Sequence, residues 1–368
     1  MISPVELRHI LHQNPELGFE EFETTKILEK NIIALSKQYN TKIKILKPLS
    51  TGLVVKYTPL KNNNYILFRA DIDALPIKEK NEIKFKSKNN FMHACGHDIH
   101  MSILYGLIEY VLKNNIQKNL LFLFQPAEEG GGGAKKILDS GIFNKFNISK
   151  AYALHVTDEY EKGTIATSKG GLFASAVEID IEFFGKNAHI AFPQDGKNAL
   201  NAMRIFLDSI EKIPKNPTSP LLFGIGKIQS GEVRNVIPSY AKIEGSIRSL
   251  NLDYTESYIN KLNKILKSIE NFTEVKYEIT IGSRYKEVVN DEYLYNEFIE
   301  KINNEYQIIN CGYKMTGEDF GFIAEKYPSL MFWLGTRVDK KFGLHSPYFL
   351  PDDSIINIGI EIFKKILK

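Results

Sequence analysis

Cysteine is scarce. Only Cys95 and Cys311 occur in 368 residues, too few and too far apart for a disulfide framework, which excludes a small stapled secreted domain. Long apolar runs are missing too: no stretch of about 18 apolar residues occurs, so no membrane-spanning helix is expected. The opening segment, MISPVELRHILHQNPELGFEEFETTKIL, carries charges throughout and no apolar signal core. Charge of one sign is not in excess either. Lys and Arg number 47 against 44 Asp and Glu, a formal charge of +3, and the lysines are scattered among glutamates. Neither nucleic acid nor a membrane is therefore an expected partner. A cytoplasmic location is expected, where a cysteine can serve as a thiolate.

What is present is enough apolar residue for a large core, 43% of the chain. At 368 residues two domains are the expectation, since single cores stop growing below that size. Residues 3–13 read as a helix with Ser3 as N-cap, Pro4 in its first position and Glu6 completing a capping box. A second helix, 20–38, precedes strands at 42–47, 52–58 and 65–70, the last running into Asp71 and Asp73. Helix 99–114, strand 119–124, helix 134–140 and strand 151–156 follow, and polar residues gather just past strand ends. Such alternation predicts an α/β sheet with its site at the carboxyl edge. Between 172 and 285 the order becomes strand 176–184, helix 197–213, strands 221–229 and 236–248, helix 252–271 and strand 274–282. That βαββαβ order is ferredoxin-like. From 286 the α/β rhythm returns, with helix 291–305, strand 330–335 and a final helix. The domains expected are 1–171 with 286–368, interrupted by an inserted 172–285.

The chemistry concentrates in FMHACGHDIH at 91–100 and QPAEEGGGG at 125–133. Cys95 and His97, two positions apart, can bring a sulfur and a ring nitrogen to one ion. Glu128 and Glu129 are adjacent carboxylates that must diverge, so one can bind metal while the other handles protons. A rival is nucleophilic catalysis by Cys95 with His97 as base, but the glutamate pair would then have no role. Cys95, His97, Glu129, His155 and His345 could form two metal sites, with Glu128 as general base and Asp73 or Asp71 accepting a hydrogen bond from a ligand imidazole. A turn after a strand is the plainer and lesser alternative for Asp71 and Asp73. The Cys/His/Glu mixture suits zinc, and also cobalt, nickel or manganese.

HxxPELGFEE at 12–21, RADIDALPI at 69–77, MHACGHDIH at 92–100, FQPAEEG at 124–130, ALHV at 153–156, GKIQSG at 226–231, GEDFG at 317–321 and WLG at 333–335 occur in order along nearly the whole chain. Together they resemble the dinuclear metallo-amidohydrolases that include bacterial hippurate hydrolase, aminoacylases and plant auxin-conjugate hydrolases. The resemblance implies a metallopeptidase-like catalytic domain with an inserted dimerisation or lid domain, two divalent ions per subunit and a homodimer. It assigns metal binding to Cys95, His97, Glu129, His155 and His345 and the base to Glu128. His189, in GKNAHIAFP, matches a lid-domain histidine that reaches the neighbouring subunit's site, although Asn187-Ala188 stands where the family has Gly-Gly. Segments 152–175, 315–322 and 331–336 resemble the branch that deacetylates an N-acetylated diamino diacid, a small molecule for which Arg248, Arg284, Glu318 and Asp319 offer complementary charges. Ordinary ion pairs are the plainer account of those four. A general N-acyl-amino-acid amidohydrolase, a dipeptidase or carboxypeptidase, and a non-catalytic metal-binding protein are the rival functions.

Overall fold

Helix formation begins where the capping residues place it. Ser3 Oγ accepts the Glu6 N–H at 3.1 Å and the Glu6 carboxylate accepts the Ser3 N–H at 2.7 Å, so α1 runs Pro4–Gln13. The computed structural model describes residues 2–214, 216, 219–302 and 304–368. After α1 come α2 (Phe22–Gln38), β1 (Ile43–Leu46), β2 (Leu53–Tyr57), β3 (Asn64–Asp71), α3 (His97–Lys113), β4 (Leu120–Gln125), α4 (Gly133–Asp139) and β5 (Asn147–Glu161). Next are β6 (Ile165–Thr167), β7 (Gly170–Phe173), β8 (Ser175–Phe184), β9 (Ala188–His189), α5 (Ala199–Glu211), β10 (Leu221–Ser230), β11 (Val236–Ile237), β12 (Tyr240–Ser249), α6 (Leu252–Thr273) and β13 (Lys276–Tyr285). The chain closes with β14 (Val288–Asn290), α7 (Glu292–Ile302), β15 (Ile308–Asn310), α8 (Gly321–Lys326), β16 (Ser329–Arg337) and α9 (Ser354–Leu367). Asn303, inside the helix expected at 291–305, lies outside the described residues.

Contacts divide the chain into two units, Met1–Leu172 with Val288–Tyr313 and Asp319–Lys368, and Phe173–Glu287 with Lys314–Glu318. The short segment 314–318 joins the second unit because the Ala174 N–H donates to Lys314 O at 2.9 Å and to Thr316 O at 3.1 Å.

In the first unit eight strands pair in the order β1-β2-β4-β3-β5-β16-β6-β15. β4, β3, β5 and β16 run parallel to one another, and the β1-β2 hairpin adds an antiparallel edge. Every residue of β4 is buried, as a strand covered on both faces requires. α3 packs on α9 at close range. A Cβ on Gly359 would lie 2.4 Å from Ile103 Cδ1, and one on Gly106 2.2 Å from Ile360 Cδ1, so glycine on each helix lets the other approach.

The second unit holds a four-stranded antiparallel sheet, β10-β12-β8-β13. Its core joins alternate residues of that sheet, such as Ile179, Ile181 and Ile243, to Phe206 of α5 and Leu262 of α6. The run 236–248, expected as one strand, is two: β11 ends at Ile237 and β12 begins at Tyr240. Pro238 stands between them and has no N–H to offer a ladder.

Candidate metal centre

The parallel ladder pairs Asp71 at the end of β3 with Gln125 at the end of β4. The segments leading to Asp73 and to Glu129 therefore leave the sheet at one edge. His155 is not at a strand end, as the expected strand 151–156 would place it. β5 continues to Glu161, and His155 lies within it beside Trp333 of β16. α3 opens at His97 behind Gly96, whose φ of 85° favours glycine. A Cβ there would also meet Val156 Cγ2 at 2.4 Å.

Hydrogen bonds set the ring tautomers. His97 Nδ1 lies 2.9 Å from Asp73 O and His155 Nδ1 lies 2.8 Å from Val156 O. A carbonyl only accepts, so each Nδ1 carries a proton and each Nε2 can present a lone pair, the arrangement of a metal-binding imidazole. His100 differs. Its Nδ1 faces Asp71 Oδ1 at 2.6 Å and its Nε2 accepts the Val156 N–H at 2.9 Å. Both nitrogens are spent, so His100 orients its neighbours and is no ligand.

The donor atoms converge. Those of Cys95, Glu129 and His345 lie within 4.8 Å of one another, as do those of His97, Glu128 and Glu129. Cys95 Sγ is 3.4 Å from His155 Nε2 and 3.4 Å from His345 Nε2. His345 Nε2 is 3.2 Å from Glu129 Oε1. His345 itself has φ 63°, a left-handed backbone unusual for a residue with a side chain.

Electrostatics favour a cation here. Burial lowers the His97 pKa, but Asp71 and Asp73 outweigh it and hold the ring up to about 10. Burial raises Asp71, and His97, His100 and Arg69 outweigh it and pull it well below the usual carboxylate range. Burial, then Glu129 and Glu128, push the Cys95 thiol well up, which opposes a free thiolate nucleophile. A divalent ion would reverse those signs for the thiol and displace the imidazolium proton. The residues also fit such ions on geometry, since His97 Nε2 is buried without a hydrogen-bond partner.

Other expected residues fall elsewhere. Asp319 accepts from Arg69 at 2.9 Å, from Gln125 at 2.7 Å and 2.9 Å, and from the Ala134 N–H at 2.9 Å. Those four contacts fill a carboxylate's acceptor positions, so Asp319 locks the ends of β3 and β4 and has nothing left for a substrate ammonium. Glu318 is buried. In the second unit, Arg284 forms a surface pair with Glu256 at 3.2 Å, and Arg248 lies on β12 opposite Ala176. His189 is exposed on β9 and its Nδ1 accepts the Ala191 N–H at 3.1 Å, which leaves Nε2 as an N–H donor.

Support that motif spacing does not reveal lies behind the cluster. His12 Nδ1 donates to Asp98 at 2.9 Å and Nε2 to Glu79 at 3.2 Å, while Arg8 donates to the same Asp98 oxygen at 3.1 Å. Burial lowers the His12 pKa, but Asp98 and Glu79 raise it to about 9. This buried ion network holds Asp98, the neighbour of His97. His12 and Asp98 lie in two of the motifs, HxxPELGFEE and MHACGHDIH, but neither motif reveals that the fold pairs them.

Residues 67–368 match the family model described as peptidase family M20/M25/M40. A Geobacillus sp. (strain WCH70) protein called N-acetyldiaminopimelate deacetylase is 41% identical over 98% of this chain and 96% of its own length. Its namesake from Geobacillus thermodenitrificans (strain NG80-2) is 39% identical over the same shares. Among solved structures, the Bacillus subtilis YXEP protein, a dinuclear metal-binding peptidase of the M20 family, superposes with TM-score 0.82 at 28% identity, covering 99% of this chain and 96% of that one.

Proposed function

The chain belongs to peptidase family M20/M25/M40, and on that premise we propose that it hydrolyses N-acetyl-LL-2,6-diaminoheptanedioate to acetate and LL-2,6-diaminoheptanedioate, a step of lysine biosynthesis through acetylated intermediates. The observation that carries this reading is full-length likeness to the Geobacillus deacetylases. The reaction class has its own support in the convergence of Cys95, His97, Glu128, Glu129 and His345.

Cys95, His97, Glu129, His155 and His345 would hold two divalent ions, zinc first among the candidates. Those ions, when bound, polarise an amide carbonyl and acidify water. Glu128 takes the proton from the attacking water and passes it to the leaving nitrogen. Asp73 and the Val156 carbonyl keep the imidazoles of His97 and His155 in one tautomer. Arg248 and Glu318 are the charges proposed to pair with the substrate's distal groups. The protein acts as a cytoplasmic homodimer through its second unit, with His189 Nε2–H donating to the oxyanion in the partner's site. No helix among the described residues is long and apolar enough to cross a membrane.

The test is acetate release by metal-loaded enzyme from a panel of N-acyl amino acids. N-acetyldiaminopimelate is expected to exceed N-acetyl-leucine and hippurate at least about tenfold in kcat/KM, the effect of one unpaired buried polar group. Equal turnover of the simple apolar substrates would move the assignment to a general aminoacylase.

A further inference from the structure

Two buried carboxylates bracket the backbone of Glu128. Glu21 Oε1 accepts the Ala127 N–H at 2.8 Å, and Asp73 Oδ2 accepts the Glu129 N–H at 2.8 Å. The chain between them is bent, for Ala127 has φ 52°, a left-handed conformation that an L residue keeps only where its surroundings enforce it. Those surroundings are tight. A Cβ on Gly131 would lie 2.6 Å from Ala127 Cβ and one on Gly18 3.0 Å from it, and the Gly133 N–H donates to Ala127 O at 3.0 Å. Glu21 is reached from the loop after α1, with no exposed surface of its own, and the Glu128 motif gives no hint of it.

We propose that Glu21 is a positioning residue for the general base: by holding the Ala127 N–H it fixes the bend from which the Glu128 and Glu129 side chains diverge. The proposal rests on Glu128 as base. It needs an acceptor oxygen at this place, not a negative charge. Burial pushes the Glu21 carboxyl up to about 7, and its neutral form still offers a carbonyl oxygen to the amide.

Three variants of the full chain separate placement from charge. Glu21→Gln keeps the oxygen in place and drops the charge. Glu21→Asp keeps the acid and draws it back by one methylene; Glu21→Ala removes it. Each is loaded with zinc, its metal content and melting temperature are recorded, and kcat and KM are measured on whichever N-acyl amino acid the unsubstituted enzyme turns over fastest. A wrong substrate assignment then changes the reference and not the ranking. Glu21→Gln is expected within about threefold of the parent kcat, while Glu21→Asp and Glu21→Ala lose about tenfold or more with KM within about twofold and metal content unchanged. If the Ala variant does not fold, Asp against Gln decides. An Asp variant as active as the Gln variant, or a loss that follows loss of metal, would overturn the proposal.

Discussion

Glu128 and Glu129 are neighbours in sequence with separate tasks, and their surroundings differ accordingly. Glu129 has its N–H on Asp73 and an oxygen at 3.2 Å from His345 Nε2. Glu128→Gln is therefore expected to keep metal, measured by elemental analysis, and to lose about two to four orders of magnitude in kcat. Loss of metal in Glu128→Gln, with retention in Glu129→Gln, would exchange the two roles. His12 makes a second prediction. Its pKa in the fold, about 9 against an ordinary 6.5, lies above the unfolded value, so the stability it adds is full below pH 6.5 and is lost as pH rises through 9. The excess stability of the parent over His12→Leu should shrink across that window, by on the order of 3 kcal/mol. Urea denaturation at pH 6 and pH 9.5 measures it, and a constant difference would contradict the network. The cluster residues were legible because they fall in short dense motifs. Glu21 closes the motif at 12–21, yet its role was not legible, since its partner Ala127 is 106 residues away and nothing in local spacing encodes a contact made only by the fold. Asp319 shows the converse, a motif residue whose chemistry looks like binding and whose oxygens the fold consumes.

Elements were readable where one physical signal dominated. The capping box started α1 at Pro4, and the unbroken apolar run of β4 announced a strand covered on both faces. Reading failed where signals conflicted. β5 extends well beyond the apolar 151–156, through polar Thr157 and Asp158, because pairing with β16 carries it on. Pro238 divides what alternation presents as one strand. The α3–α9 crossing is an element-scale prediction: with Ile103 Cγ1 2.9 Å from a Cβ at position 359, Gly359→Val must displace one helix. It is expected to cost about 1–3 kcal/mol, read as a lower melting temperature. An unchanged or raised value would mean that the helices part freely.

At the scale of the molecule, the proposed dimer predicts complementation. Mixed dimers of Glu128→Gln and His189→Ala chains should recover part of the activity that each lacks, because one of the two sites then has both an intact base and a partner's histidine. Heterodimers that form without recovery would leave His189 to its own subunit or to no role. The strand order of the first unit also bears on how the protein is made. β16 lies between β5 and β6, yet it starts at Ser329, long after both have left the ribosome. At usual elongation rates the interval from β6 to β16 is on the order of ten seconds. Through it the growing chain carries unmatched the edges of β5 and β6 that β16 will join, a hazard for self-association during synthesis. Removal of residues from β16 onward should yield not a weakened enzyme but a nascent chain dependent on chaperones.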